Sequence, residues 1–163
     1  DDDAPNGAKE RSPNGDGAAR GFYANPAALA ALRVEGPVPV VVVVAEGGPD
    51  WLAWSGAATD PRIGVIGQWN GSDAAEAAQT LAAGGARLVL NAQDADPTGA
   101  RFADLVRRVL RLEAARVRRL EAPQPADWTS AKPADWNDAA RSDGNAPLLD
   151  ALADAVRAEG IDL

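Results

Sequence analysis

The sequence predicts an α/β fold with a mostly parallel central sheet of about four strands and helices on both faces. Two observations lead to this prediction. Extended apolar segments alternate with segments of helical periodicity from residue 27 onward, and such alternation needs crossover connections between parallel strands. The segment 38–45 is a continuous apolar run rich in Val, which suits a central strand covered by helices on both sides.

The order of the elements follows from local signals along the chain. The predicted strands are the segments 38–45, 62–66, 87–90 and 115–120. The predicted helices are the segments 27–33, 50–56, 73–83, 101–112 and 147–159. Proline at the first turn and glycine after the last turn mark several of these helices. We expect the last strand at an edge of the sheet, because Arg118 and Arg119 interrupt its apolar pattern.

One ordered domain is expected after a polar leader. Residues 1–20 have no apolar periodicity and are rich in Asp, Asn, Gly and Pro, so we expect a disordered leader or linker. The domain then covers residues 21–163, with a core over 38–138 and a C-terminal helix over 147–159. The chain does not begin with Met, and we expect it to be part of a longer protein.

Composition limits the chemistry that this chain can perform. It has no Cys and no His, so thiol nucleophiles, imidazole bases and zinc sites of Cys and His are excluded. A net charge of −8 disfavours indiscriminate binding to nucleic acid and is compatible with a cation site. The longest apolar run is too short to span a bilayer, so we expect no membrane association and a cytoplasmic location.

Acidic residues follow two of the predicted strands directly. Glu46 follows the first strand, and Asp94 and Asp96 follow the third. If those strands are neighbours, the three carboxylates meet at one edge of the sheet, where a hard cation such as Mg²⁺ would relieve their repulsion. The alternative is structural, with Asp96 or Thr98 capping the next helix and Glu46 capping the helix that begins at Pro49.

The two acidic motifs together resemble the Toprim domain. Glu46-Gly47-x-x-Asp50 and Asp94-x-Asp96-x-x-Gly99 lie on the corresponding strand ends, and the resemblance covers residues 38–138. Toprim domains are shared by bacterial-type primases, type IA and type II topoisomerases, a class of nucleases and recombination-mediator proteins. Thr98 stands where an Ala is usual.

The segment 135–138 favours the primase and primase-helicase branch. Asp135-Trp136-Asn137-Asp138 resembles a Lys-Asp-Trp-Asn-Asp segment common there, with Ala134 in place of the basic residue and Lys132 two positions earlier.

The resemblance implies a fold, a site and an activity. The fold would be Rossmann-like, Glu46 would be the general acid/base and a metal-site carboxylate, and Asp94 and Asp96 would hold Mg²⁺ or Mn²⁺. Asp50 and Asp138 would be supporting acids. The activity would be nucleotidyl transfer that primes DNA replication, with nucleic acid and nucleoside triphosphates as partners of the full-length protein. The zinc-ribbon or helicase domains of such proteins are absent from this chain.

Two other functions stay open at this stage. Toprim nucleases hydrolyse phosphodiester bonds with the same carboxylates, and a non-catalytic nucleic-acid-associated module would keep the fold alone. The domains encoded beside this one would separate them, since a zinc ribbon and helicase indicate a primase and an ATPase indicates a nuclease.

Two further groups of residues are candidates for phosphate or nucleic-acid contact. Gly47 and Gly48 either present backbone N–H groups at a helix N-terminus or simply form a tight turn. A basic cluster either contacts a nucleic-acid backbone or a nucleotide phosphate, or forms a solvated helix face and an edge strand guarded by charge; its members are Arg107, Arg108, Arg111, Arg116, Arg118 and Arg119.

Overall fold

The computed structural model describes residues 21–69, 71–111 and 113–163. The predicted leader over residues 1–20 lies outside this part of the chain. The described residues form one sheet with helices on both of its faces.

The sheet has five strands in the order β1-β3-β2-β4-β5. The strands are β1 (Phe22–Ala24), β2 (Val41–Glu46), β3 (Ile63–Gln68), β4 (Leu88–Ala92) and β5 (Arg116–Arg119). β2, β3, β4 and β5 are parallel to one another, and β1 pairs with β3 in the antiparallel direction. The predicted α/β class and mostly parallel sheet are confirmed, and β5 lies at an edge as expected.

The predicted number of about four strands is wrong, because the sheet has a fifth strand, β1. β1 has only 3 residues, which is too short for a period-2 pattern to be read from the sequence. Its place is fixed by tertiary contacts: Tyr23 pairs with Gly67 of β3 and stacks on Trp51, with ring centroids 5.2 Å apart.

Six helices are described, and they are divided between the two faces of the sheet. They are α1 (Pro26–Leu32), α2 (Gly47–Ala57), α3 (Gly71–Ala83), α4 (Pro97–Val109), α5 (Trp136–Asp143) and α6 (Ala146–Ala158). α2, α5 and α6 pack on one face, and α1, α3 and α4 pack on the other. The predicted C-terminal helix is confirmed as α6, shifted by one residue at each end.

β2 is the centre of the sheet and of the core. Its residues 41–45 have no exposed surface, which agrees with the prediction from the unbroken apolar run. Val41, Val43 and Ala45 belong to one core cluster, and Val42 and Val44 belong to the other. Alternating side chains therefore supply both faces, as the geometry of a strand requires.

Two tryptophans close the core on the face of α2, α5 and α6. Trp54 and Trp136 are both fully buried, and their rings pack at a centroid distance of 4.9 Å. This contact joins α2 to α5 and brings the segment 135–138 close to the beginning of α2.

Among the described residues, no helix combines the length and apolar character needed to cross a membrane.

Gly67 of β3 provides a test of the packing between α2 and the sheet. A Cβ atom at this position would lie 2.5 Å from Cβ of Trp51, which is part of the Trp51 side chain nearest the backbone. We expect Gly67→Ala to lower the free energy of unfolding by about 1–3 kcal/mol, because α2 must shift to relieve the overlap. Chemical denaturation followed by circular dichroism measures this change.

Gly56→Ala in the same region is the matched control. Gly56 lies in α2 with nothing within 4 Å of an added Cβ, so Ala there should raise stability by up to about 1 kcal/mol through helix propensity. Equal effects of the two substitutions would contradict the packing argument.

Candidate functional site

The polar site lies where the order of the parallel strands reverses. β2 is flanked by β3 on one side and by β4 on the other, and the chain leaves β2 and β4 toward opposite faces, into α2 and α4. In sheets of this topology the two helices diverge at this point, and a crevice is expected beyond the carboxyl ends of the two strands. Sheets of this kind bind their ligands in that crevice. Glu46 ends β2 and Asp94 follows β4, so both lie at its rim.

Glu46 contacts the segment that follows β4 directly. Oε2 of Glu46 accepts a hydrogen bond from the backbone N–H of Asp94 at 3.2 Å. Glu46 occupies the N-cap position of α2, but its side chain makes no capping hydrogen bond. The capping alternative for Glu46 is therefore wrong, and its carboxylate is turned across the crevice toward the other acidic motif.

Asp96 combines a structural role with its place beside the other acids. Its Oδ1 accepts hydrogen bonds from the backbone N–H groups of Thr98 and Gly99, both at 2.8 Å, and thereby caps α4. The capping alternative is thus confirmed for Asp96. The carboxylate is nevertheless near enough to raise the pKa values of Glu46 and Asp94. Since the cap uses Oδ1, the other oxygen is the one that would face a cation.

Gly99 allows α4 to begin close to Asp94. A Cβ atom on Gly99 would overlap the carbonyl oxygen of Asp94 and lie 3.0 Å from the nitrogen of the same residue. Only glycine permits this approach, which explains the glycine of the second motif. The turn between β4 and α4 is consequently tight, and it fixes Asp94 and Asp96 relative to each other.

The side chain of Gln93 connects the same turn to β2 by a hydrogen bond. Its side chain is 1% exposed, and Nε2 donates a hydrogen bond to the backbone oxygen of Val44 at 2.9 Å. β2 and β4 are therefore held together both by the sheet ladder and by a side chain immediately before Asp94. This residue is polar at the end of an apolar run, and the sequence analysis did not single it out.

Two cationic side chains reach Asp94 from elements far along the chain. Nζ of Lys132 lies 3.6 Å from Oδ2 of Asp94, and Nη2 of Arg119 donates to the backbone oxygen of Asp94 at 3.2 Å. Arg119 belongs to the basic cluster that the sequence indicated as a phosphate contact, whereas no motif marked Lys132 as a site residue. The primase pattern has a basic residue at the position of Ala134, two residues after Lys132. This offset basic residue is the one sequence feature that could have indicated Lys132 as part of the site.

Charge and burial raise the proton affinity of the acids. Partial burial raises the pKa of Glu46 above its usual range, and the negative charges of Asp94 and Asp96 add to this effect. Burial likewise raises the pKa of Asp94, although Lys132 opposes the shift. Burial alone would lower the pKa of Lys132, but Asp94 and Asp135 raise it above its usual value. The site therefore holds more negative charge than one ammonium group compensates.

Asp50 is the most strongly perturbed acid of the group. It is 3% exposed, and its Oδ1 accepts a hydrogen bond from the backbone N–H of Asn137 at 2.8 Å. Burial raises its pKa to about 8, with further contributions from Asp135, Asp94 and Glu46. Asp50 thus joins the beginning of α2 to the beginning of α5 and carries a proton near neutral pH.

The segment 135–138 contributes a different acid from the one predicted. Asp138 accepts a hydrogen bond from the N–H of Asp135, and Asp135 accepts one from the N–H of Asp138, so the pair forms a capping box for α5. Asp135 is the member whose charge acts on Asp50, Asp94 and Lys132. Trp136 is fully buried between them, as expected.

The candidate phosphate contacts are only partly brought to the site. Gly47 has a φ of 67° and Gly48 lies against Tyr23, and both stand in the first turn of α2, directly after Glu46. Arg107 and Arg108 lie near the other end of α4, about 15 Å along the helix axis from its beginning at Pro97. Arg111 follows the end of that helix. These three arginines are exposed and do not line the crevice.

The acids suit magnesium, but they do not form a complete cage for it. In residues 21–69, 71–111 and 113–163, no three acidic side chains are already grouped closely enough to hold a metal ion. Mg²⁺ is commonly bound by one or two carboxylates, with water and substrate phosphates completing its shell. Excess negative charge and oxygen donors at Asp94 and Glu46 fit that pattern.

No protein-family model matches this chain, and no curated protein matches it significantly.

Asp50→Asn tests the protonation of the buried acid. Folding favours the neutral form of Asp50, so the folded chain binds more protons than the unfolded chain between its usual pKa of 3.8 and about 8. This group therefore makes stability fall as the pH rises through that window, by at most about 1.4 kcal/mol per pH unit. Asn keeps the oxygen that accepts from Asn137 and removes the ionisation, so the variant should show a shallower fall.

The measurement is the free energy of unfolding from urea titrations at several pH values. Asp150→Asn, at an exposed position on α6, controls for the removal of one acidic group. An unchanged slope in Asp50→Asn would show that Asp50 is ionised in the folded protein.

Proposed function

We propose that this chain is a Toprim-type catalytic domain that performs magnesium-dependent nucleotidyl transfer in the priming of DNA replication. One observation carries the proposal: the carboxylate that ends β2 bonds to the backbone of the acidic motif that follows β4, at 3.2 Å and at the reversal point of the sheet. The spacing of the two motifs along the chain and their meeting in space agree with the resemblance to Toprim domains.

Each acidic residue of the site has a separate role in the proposed reaction. Asp94 and Asp96 would hold Mg²⁺, which neutralises charge on the reacting phosphate and activates the attacking oxygen when it is bound. Glu46 is held against the backbone of Asp94 and would accept the proton of the attacking hydroxyl. Asp50, protonated and linked to Asn137, would keep α2 and α5 in place around these groups. No step needs Cys or His, and the chain has neither.

Other domains of a full-length protein would complete the activity. With a net charge of −8, the chain is poorly suited to hold a nucleic-acid template by itself. We therefore assign template binding to partner domains such as a zinc ribbon or helicase, and metal and nucleotide chemistry to this domain.

Phosphodiester hydrolysis by a Toprim-type nuclease is the second candidate. The same three carboxylates, Glu46, Asp94 and Asp96, would serve it, with water in place of the attacking hydroxyl. The two candidates differ in substrate, because nucleotidyl transfer requires a nucleoside triphosphate and hydrolysis requires only the nucleic acid. The present geometry favours neither over the other, and the resemblance of residues 135–138 to the primase branch decides our choice.

Divalent-cation binding is the first test of the proposed site. Titration calorimetry with Mg²⁺ or Mn²⁺ should show binding to the parent chain. In Asp94→Asn/Asp96→Asn, affinity should fall by at least about 10- to 100-fold, because the charged ligands are removed. Asn still caps α4 at position 96, so the helix should remain intact. Asp150→Asn should bind as the parent does.

Absence of cation binding in the parent chain, with nucleotide added, would refute the metal site. If binding is present, primer synthesis from nucleoside triphosphates on a single-stranded template is measured with the full-length protein and with its Glu46→Gln variant. Cleavage of the template in place of synthesis would identify the nuclease.

A further inference from the structure

Asp94 is contacted by two cations from different elements, one at its carboxylate and one at its backbone oxygen. Lys132 lies in the connection between β5 and α5 and faces the carboxylate of Asp94 at 3.6 Å. Arg119 is the last residue of β5 and donates to the backbone oxygen of Asp94 at 3.2 Å. Two positive groups are thus placed at the rim of a site whose own side chains are acidic.

Both cations keep donor capacity that faces solvent. Arg119 is exposed, and the side chain of Lys132 is 53% exposed. An ammonium group has three donors and a guanidinium group has five, while the bond from Arg119 to Asp94 uses Nη2. Arg119 contacts a neutral carbonyl oxygen, so that contact leaves its charge available to an anion.

Other described arginines have acidic partners away from the crevice. Arg116 and Arg118 pair with Glu159, Arg107 pairs with Asp104, and Arg157 pairs with Asp154. Arg119 alternates with Arg118 along β5 and points to the opposite face of the sheet. Because of this alternation, Arg118 contacts Glu159 and Arg119 contacts Asp94.

The backbone positions of both cations are fixed. Arg119 lies in the ladder opposite Asn91 of β4. Lys132 lies in a small turn, where its carbonyl oxygen accepts from Nε1 of Trp128 at 2.8 Å and its N–H donates to Oγ of Ser130 at 3.2 Å. Only the side chains need to move to receive a ligand.

We propose that Lys132 and Arg119 form a phosphate-binding subsite beside the carboxylates. Its ligand is a phosphate-bearing substrate, either the polyphosphate of a nucleotide or the backbone of a nucleic acid. The inference rests on the proposed function in that the phosphates belong to its substrate. An acidic site repels phosphate unless cations line its rim, and a lysine and an arginine that both contact Asp94 meet that need.

Lys132 should have opposite effects on the binding of phosphate and on the binding of a divalent cation. It attracts phosphate, and it competes with a divalent cation for Asp94. Lys132→Gln should therefore weaken phosphate binding while leaving divalent-cation affinity equal or higher. A lysine with a purely structural role would instead weaken both.

The test measures binding of inorganic tripolyphosphate by titration calorimetry, with and without Mg²⁺. We expect about tenfold weaker binding for Lys132→Gln and for Arg119→Gln, which corresponds to the loss of one charge-assisted contact. Arg157→Gln is the matched control, because it removes the same charge from an exposed position on α6 and should bind as the parent does. Thermal melting verifies that all variants fold.

The source of the phosphate is determined by two parallel titrations. ATP and a short single-stranded oligonucleotide are compared on the parent chain and on the two variants. A loss confined to ATP assigns the subsite to the nucleotide, and a loss confined to the oligonucleotide assigns it to the nucleic-acid backbone.

Unchanged affinity in both variants, or no tripolyphosphate binding by the parent under either condition, would overturn the inference. A selective loss of phosphate binding in Lys132→Gln and Arg119→Gln supports it even if the full-length protein synthesises no primer. The failure of the proposed function and the failure of the subsite therefore give different results.

Discussion

The pairing of β2 with a parallel strand on each side is the constraint on which the rest of the structure depends. Residues 41–45 have no exposed surface, so both faces of this strand must be covered by helices and both edges by strands. That arrangement needs a crossover to each side, and the two crossovers leave the sheet toward opposite faces. The crevice at the ends of β2 and β4 is a direct result.

The acidic edge, formed by Glu46, Asp94 and Asp96 at the ends of β2 and β4, is held in position mainly through backbone atoms. The peptide of Asp94 is contacted by Glu46 at its N–H, by Arg119 at its oxygen and by Gly99 through close packing. The carboxylate of Asp94 thus projects from a main chain that these contacts hold, and within the described part of the chain Lys132 is its only ion-pair partner. Rigid placement of charged side chains is what electrostatic catalysis requires, since it avoids reorganisation during the reaction.

The parallel sheet and the meeting of Glu46 with Asp94 could be predicted from sequence, because both follow from local patterns and from one topological rule. The apolar run 38–45 identified the central strand, and the strand-end acids identified the edge of the sheet. β1 could not be predicted, since 3 residues carry no period and its position depends on Tyr23 stacking on Trp51.

The contacts of the two cations with Asp94 could not be predicted for a related reason, although Arg119 belongs to the basic cluster that the sequence indicated. Lys132 and Arg119 reach Asp94 across 38 and 25 residues of sequence, and nothing in their immediate neighbours indicates that contact. Asp135, the N-cap of α5, also acts on the site through space, while Asp138, which the motif had indicated, completes the capping box of that helix. Local sequence patterns predict helices and strands well. Long-range contacts between charged side chains depend on tertiary packing, which local patterns do not specify.

The bond between Asp50 and Asn137 spans 87 residues and has a consequence for how the protein is made. On the ribosome, β2, β3 and β4 emerge before α5 and before Lys132. A nascent chain that ends before residue 132 therefore has its acidic edge without the N–H donor of Asn137 and without the ammonium group. Closing a loop of this length is entropically costly and comes late in folding. We expect the carboxylates of Asp50 and Asp94 to reach their final surroundings only when residues 132–137 have been synthesised.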